Sequence, residues 1–248
     1  NFKNSIILKP SIVYSVDDKF TTRFMTLLSR LPFMPIYYNG NTKFSPIHVS
    51  ELVEIIFKMV RNNILASILI NNFNNQEYIN KCIKSCLKQS YKNFEVIIYD
   101  DCSNDKSRNI IKNIKNKKIK KIFNKSKKFN SSPLNQFNAI RKSFLKSKGE
   151  IIFILDGDDQ FLRNKLDIII QKFIQNDKLN FLQDNPIYFY PKQNLKVKRK
   201  LKNKAFVLHT WPYFNTTSTM VFRRNFLKKL LNDLNFTNKD YEKMFFDA

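Results

Sequence analysis

Glycine, cysteine and histidine are scarce in this chain, which holds three, three and two of them among 248 residues. Three glycines do not form a G-x-G-x-x-G dinucleotide loop, so no hydride chemistry can be assigned to the chain. Three unevenly spaced cysteines exclude a disulfide framework, and with two histidines they do not favour a zinc site. Cys82 and Cys86 lie four residues apart on a predicted helix, and we interpret them as small buried residues.

The chain also lacks a long apolar run. No stretch reaches the roughly 18 apolar residues that a membrane-spanning helix needs. The opening residues do not show the basic-then-apolar pattern of a signal peptide, and residue 1 is not methionine. These absences favour a cytoplasmic location.

Acidic residues are few, with 20 Asp and Glu against 44 Lys and Arg, so the net charge is +24. Such charge suits phosphate-bearing partners, either nucleic acid or an anionic membrane. Lysine accompanies Asn and Ile throughout the chain, and no nucleic-acid-binding motif occurs, so nucleic acid is not favoured. The lysines are densest at 112–128 and 192–204, which is compatible with peripheral contact at the inner face of a membrane.

From residue 65 onward, strand patterns alternate with helix patterns. The predicted strands are 65–70, 95–99, 119–123 and 150–155, and the predicted helices between them include 77–89 and 134–146. This order predicts an α/β fold whose mostly parallel sheet is flanked by helices, with ligands bound at the carboxyl ends of the strands.

An acidic cluster follows the fourth predicted strand directly. Asp156, Asp158 and Asp159 surround Gly157, and such a group of carboxylates favours a compensating hard cation such as Mg²⁺ or Mn²⁺. Such a cation would also bind the phosphate oxygens of a ligand. The alternative is an ordinary Asp-Gly turn without a ligand.

A second acidic cluster ends the strand 95–99. Asp100 and Asp101 suit hydrogen bonds from a nucleobase or ribose, whereas Ser103 and Asp105 also fit a turn and a helix cap. Because both clusters end strands of one predicted sheet, we expect them to meet in one crevice.

Several ordered motifs resemble glycosyltransferase family 2, which has the GT-A fold. The matching segments are residues 67–70, 72–75, 76–79, 89–98, 100–105 and 148–159. The resemblance implies that Asn72, Asn74, Asp100, Asp101 and Asp156 bind the donor nucleotide and that Asp156, Asp158 and Asp159 hold the metal. It further implies inverting transfer from a nucleotide sugar, with a UDP-sugar favoured, to a cell-envelope glycan or lipid-linked acceptor. Cys102 departs from the pattern, since Gly is common there.

An inverting transferase needs a carboxylate to accept the proton of the acceptor hydroxyl. Asp240 and Asp247 are the candidate bases, although each also fits an ordinary surface acid. Residues 216–224 resemble the acceptor-side strand and Arg-bearing turn of the family, and the transferase-like domain, 65–248, is expected to be truncated near its end.

Residues 1–62 resemble a different family, the C-terminal part of an extended short-chain dehydrogenase or NAD-dependent sugar epimerase. The dinucleotide loop and catalytic Tyr-Lys pair of that family do not occur here. The alternative function is therefore an epimerase or dehydrogenase of which only the tail is present.

Overall fold

The computed structural model describes residues 8–10, 12–15, 18–30, 46–190, 195–198 and 216–233. The chain divides into two compact units, residues 1–60 and 61–248. None of the described helices is both long and apolar enough to cross a bilayer.

The described residues of the first unit begin with strand β1 (Ile12–Tyr14). Helix α1 (Lys19–Arg30), strand β2 (Pro46–His48) and helix α2 (Val49–Asn63) follow. β1 and β2 pair in parallel, and the rings of Tyr14 and His48 meet edge to face at 5.2 Å.

The second unit is built on a six-stranded sheet. In chain order its elements are β3 (Ala66–Asn72), α3 (Ile79–Leu87), β4 (Phe94–Asp100), α4 (Ser107–Asn113), β5 (Ile119–Phe123), α5 (Ser132–Lys146), β6 (Ile151–Asp156), α6 (Lys165–Gln175), β7 (Phe181–Gln183), β8 (Ile187–Tyr190), β9 (Leu195–Lys198), a 3-10 turn (Thr217–Thr219), β10 (Met220–Arg223) and α7 (Arg224–Asp233). The strand order is β5-β4-β3-β6-β10-β7, and among the described residues β8 and β9 pair in a separate two-stranded ribbon.

Helices cover both faces of this sheet. Ile68, Ile70 and Phe153 pack on one face with α3 and α6, while Leu69, Ile97 and Ile154 pack on the other with α5 and α7. Every residue of β3 and β4 is therefore buried, which explains their continuous apolar runs. The prediction of an α/β fold with a helix-flanked central sheet is confirmed.

The sheet is mixed. β5, β4, β3 and β6 are parallel, as the alternating pattern predicts, but β10 lies antiparallel between β6 and β7. Arg223 at the end of β10 donates to the backbone oxygens of Leu179 and Phe173, at 3.1 and 3.0 Å. This side chain therefore ties β10 to the neighbouring chain segments instead of facing a ligand.

Candidate functional site

The carboxyl ends of three neighbouring strands form one edge of the central sheet. In the register of β3, Asn72 lies opposite Asp100 of β4, and Asn71 lies opposite Asp156 of β6. The two acidic clusters, separated by about fifty residues in sequence, are thus brought to the two sides of β3 because parallel strands end at a common edge.

Asn72 and Asp100 are buried and bonded to each other. The Asn72 amide donates to Asp100 Oδ1 at 2.8 Å, and its Nδ2 also lies 3.2 Å from Ser103 Oγ. The other Asp100 oxygen lies 3.4 Å from Arg108 Nε, so its charge is compensated inside the protein. This pair joins the ends of β3 and β4.

Further hydrogen bonds hold the loops after β3 and β4 together. Ser103 Oγ accepts the N–H of Asn74 at 3.0 Å, and Asn74 Oδ1 accepts the N–H of Asn104 at 3.0 Å. Asp105 accepts the N–H groups of Gln76 and Ser107 at 2.9 and 2.8 Å. Asp105 therefore serves the start of α4 and, like Ser103, joins the loop after β4 to the loop after β3. Exposed Asn74 is held at φ 52°, a left-handed conformation that Asn tolerates.

Asp101 and Cys102 complete the turn after β4. Asp101 is 8% exposed and accepts a hydrogen bond from the Asn124 amide at 2.8 Å. Cys102 has φ 60°, so a left-handed backbone is required where Gly is common in the pattern. Cys82 and Cys86 are buried, as predicted.

Asp156 is held by side chains that are distant in sequence. Its Oδ1 accepts from the Gln136 amide of α5 at 2.8 Å, its Oδ2 accepts from the Thr217 hydroxyl, and its N–H donates to Ser218 Oγ at 3.0 Å. The 3-10 turn and α5 therefore set the orientation of this carboxylate.

The electrostatics of this cluster favour a cation. Burial raises the pKa of Asp156, hydrogen bonds from Thr217 and Gln136 oppose that rise, and the charges of Asp159 and Asp158 add to it. Burial also raises the pKa of Asp159, against a hydrogen bond from Ser218. A nearby positive charge would stabilise both ionised carboxylates.

The charge of Lys165 acts on Asp159 of this cluster, but the Lys165 ammonium is already paired. Its ammonium lies 3.0 Å from Asp184 Oδ2 and donates to the Ser218 oxygen at 2.9 Å. Its charge opposes the rise in the pKa of Asp159 only in part, since burial remains the larger effect.

Asp158 is exposed and Asp159 is half-buried. Gly157, which follows Asp156, is buried and packs against the end of β3. A Cβ on Gly157 would lie 2.8 Å from Asn72 Oδ1 and 2.9 Å from Asn75 Nδ2. Among the described residues, no three Asp, Glu, His or Cys side chains are arranged to hold a metal ion by themselves. A metal here would need oxygen ligands from the substrate as well.

Several site residues escaped the sequence analysis. Gln136, Thr217 and Ser218 contact Asp156. Gln136 lies in an ordinary helix pattern that carries no signal, and the resemblance of residues 216–224 indicated the acceptor side instead of a contact with Asp156. Asn71 is 9% exposed, and neither of its side-chain polar atoms has a hydrogen-bond partner among the described residues. Its polarity at the end of a buried strand was the one available signal.

Phe73 adds an apolar surface beside the loops. It is 42% exposed, and the ammonium of Lys127 lies 3.6 Å from its ring centroid. The candidate catalytic bases Asp240 and Asp247 lie outside the described residues.

The sequence matches the model of the family described as glycosyl transferase family 2 over residues 67–231. Relatives include an uncharacterized glycosyltransferase of Nostoc, 28% identical over 66% of this chain and 52% of that protein. Another, from Escherichia coli, is named a UDP-Glc:alpha-D-GlcNAc-diphosphoundecaprenol beta-1,3-glucosyltransferase and is 31% identical over 49% of this chain and 45% of its own length. The chain thus spans about half the length of these curated relatives.

Solved structures show the same fold. Residues 1–349 of Staphylococcus aureus TarS, in complex with UDP, align with a TM-score of 0.53 and 21% identity. The alignment covers 70% of this chain and 50% of that one. The same TarS segment in complex with UDP-GlcNAc aligns with a TM-score of 0.52 and 22% identity, over 70% and 48% of the two chains.

Proposed function

Because the chain belongs to glycosyltransferase family 2, we propose that it transfers a sugar from a nucleotide-diphosphate donor to a glycan or lipid-linked acceptor. The observation that carries this proposal is the shared edge of β3, β4 and β6, where Asn72 lies opposite Asp100, Asn71 lies opposite Asp156, and Gly157 packs against Asn72 and Asn75. This edge has polar groups for a nucleoside on one side and carboxylates on the other.

The nucleoside side of the donor is assigned to the loops after β3 and β4. Exposed Asn74 and the backbone beside Asp101 would contact base and ribose, while buried Asn72 and Asp100 keep the two loops in register. Phe73 offers its ring as a stacking surface.

The diphosphate side is assigned to Asp156, Asp158 and Asp159 together with Mg²⁺ or Mn²⁺. These are hard oxygen donors, and burial and mutual repulsion raise the pKa of Asp156 and Asp159, which fits a divalent cation. Mg²⁺ is commonly bound by one or two carboxylates plus substrate phosphates, so the arrangement does not need three protein ligands. When bound, the ion would neutralise the charge that develops on the leaving diphosphate.

The names of the relatives support a choice of donor and acceptor. TarS binds UDP and UDP-GlcNAc, and the Escherichia coli relative is named for a UDP-Glc donor and an undecaprenol-linked acceptor. We therefore assign a UDP-sugar donor, an acceptor in cell-envelope polysaccharide synthesis and inversion at the anomeric carbon. Asp240 or Asp247 would accept the proton of the acceptor hydroxyl, and the protein would act in the cytoplasm at the inner membrane face.

Residues 1–62 are assigned as an epimerase-like C-terminal fragment ahead of the transferase domain, 65–248. The parallel pairing of β1 and β2 with two helices is compatible with an α/β origin. With no dinucleotide loop in the sequence, the epimerase alternative is not favoured as the function of the chain.

Calorimetric titration of UDP with and without Mn²⁺ tests the donor site. The intact chain should bind UDP more tightly with Mn²⁺, and the Asp156→Ala, Asp158→Ala double variant should lose that dependence. The matched control is Asp177→Ala, which removes an exposed carboxylate after α6. Equal binding by the double variant would refute the metal assignment, and no binding of UDP by the folded intact chain would refute the donor assignment.

A further inference from the structure

Strands β8 and β9 form a two-stranded antiparallel ribbon apart from the central sheet. In its register Ile187 lies opposite Lys198, and Phe189 lies opposite Lys196. Cross-strand partners point to the same face, and so do residues two apart on one strand. Ile187, Phe189, Lys196 and Lys198 therefore share one face, which we call the basic ribbon face.

The apolar side chains of this ribbon are exposed. Ile187 is 39% exposed and Phe189 53%, while Tyr190 and Leu195, a cross-strand pair, are 41% and 47% exposed. Ile187 and Phe189 lie on the basic ribbon face, whereas Tyr190 and Leu195 lie on the opposite face. Two neighbouring exposed apolar side chains beside two lysines form an amphipathic surface of the kind that binds a partner.

The charge of residues 185–204 indicates the charge that the partner surface carries. Residues 185–204 contain seven Lys and Arg residues and neither Asp nor Glu, although the chain has 20 acidic residues in all. A partner of this segment is expected to be negatively charged.

We propose that the basic ribbon face docks on a membrane surface rich in acidic lipids. Ile187 and Phe189 enter the boundary between headgroups and acyl chains, and Lys196 and Lys198 place their ammonium groups at the lipid phosphates. Aliphatic Ile187 on this face favours hydrocarbon over nucleic acid, because single-stranded nucleic acids are held mainly by aromatic stacking and backbone charge. The inference rests on the proposed use of a lipid-linked acceptor and does not involve the donor site.

The position of the ribbon fits this role. The chain leaves β7 at Asp184, whose carboxylate pairs with Lys165, and β8 begins three residues later. Lys165 also contacts the backbone oxygen of Ser218, whose hydroxyl accepts the N–H of Asp156. A ribbon docked on a bilayer would therefore be linked to Asp156 of the proposed site through Lys165 and Ser218. A lipid-linked acceptor would have to reach that site.

Sedimentation with lipid vesicles tests the proposal. Vesicles of phosphatidylglycerol and phosphatidylcholine in equal parts should bind the intact chain, and vesicles of phosphatidylcholine alone should bind it much less. Lys196→Gln with Lys198→Gln should weaken the partition about thirty-fold, the equivalent of about 1 kcal/mol per lysine. Ile187→Thr with Phe189→Thr, which keeps strand-forming residues, should weaken it about tenfold or more.

The control variant is Lys172→Gln with Lys178→Gln, which removes the same charge from exposed positions in the last turn of α6 and just after it, outside both lysine-dense segments. It should retain most vesicle binding, and all variants should keep intact-chain UDP affinity, which tests the donor site separately. The proposal is overturned if acidic vesicles fail to bind a chain that binds UDP, or if the control loses as much as the ribbon variants. It is equally overturned if a DNA duplex binds tightly while the apolar ribbon variant binds vesicles normally.

Discussion

Gly149 precedes β6 and Gly157 follows it, and the two glycines pack against opposite ends of β3. Substitution by alanine is expected to have different consequences at the two positions. A Cβ at Gly157 would meet Asn72 Oδ1 at 2.8 Å, whereas ordinary contact begins near 3.4 Å, so the Asn72 amide must move about 0.6 Å. That amide is held by Asp100 at 2.8 Å. Gly157→Ala should therefore displace the loops that line the proposed nucleotide crevice.

The expected cost of Gly157→Ala follows from what must move. The contacted atoms nearest to the added methyl are side-chain ends, so we expect about 1 kcal/mol of lost stability, the lower end of overpacking costs. For a domain of this size, the melting temperature should fall by about 2–4 °C. UDP affinity in the presence of Mn²⁺ should fall about tenfold or more, because the displaced loops belong to the binding site.

Gly149→Ala is the matched control. There a Cβ would lie 2.5 Å from the backbone nitrogen of Ser67 and 2.7 Å from the carbonyl carbon of Ala66, atoms of the central strand that have little room to move. We expect a loss of about 3 kcal/mol and a fall of roughly 6–12 °C in melting temperature. UDP affinity per folded molecule should stay unchanged. Thermal melts measure the change in melting temperature of both variants, and calorimetry measures their UDP affinity. A Gly157→Ala protein that binds UDP normally would refute the reasoning.

Two further substitutions test individual hydrogen bonds. Gln136→Leu removes the donor to Asp156 and should weaken UDP binding with Mn²⁺ about tenfold, since a bond to a charged group contributes about 1.5–3 kcal/mol; unchanged affinity in calorimetry would exclude a positioning role. Glu95→Gln tests stability against pH: burial opposes ionisation, but bonds from Lys120, the Lys148 N–H and the Ser67 hydroxyl lower the pKa of Glu95. The contribution of the Glu95 carboxylate to stability should be present above its pKa in the unfolded chain, about 4.3. It should be lost as the pH falls through the lower pKa of Glu95 in the folded chain. Melting curves should therefore separate the variant from the intact chain at neutral pH and converge in acid; a constant difference would contradict this.

The transferase domain could be recognised from sequence because its strands and motifs are formed by residues that are close together in the chain. Apolar runs predicted β3, β4 and β6, and a short strand pattern predicted β5, to within about two residues at each end. β3, β4 and β6 are covered by helices on both faces and are therefore largely apolar, whereas the edge strand β5 carries Lys120 and Lys121. The acidic clusters were located for the same reason, because polar residues directly after a buried strand stand at the edge of the sheet. Motifs in this order also sufficed to indicate the family.

Only the tertiary structure decided how these residues are used. Sequence spacing does not show that Asn72 and Asp100 are bonded to each other inside the protein, or that Gln136, Thr217 and Ser218 orient Asp156. Nor does a short apolar run reveal that β10 inserts antiparallel between β6 and β7. These features depend on contacts between residues about 20 to 80 positions apart. Such pairings are set by the packing of the whole sheet and leave no periodic pattern in the chain.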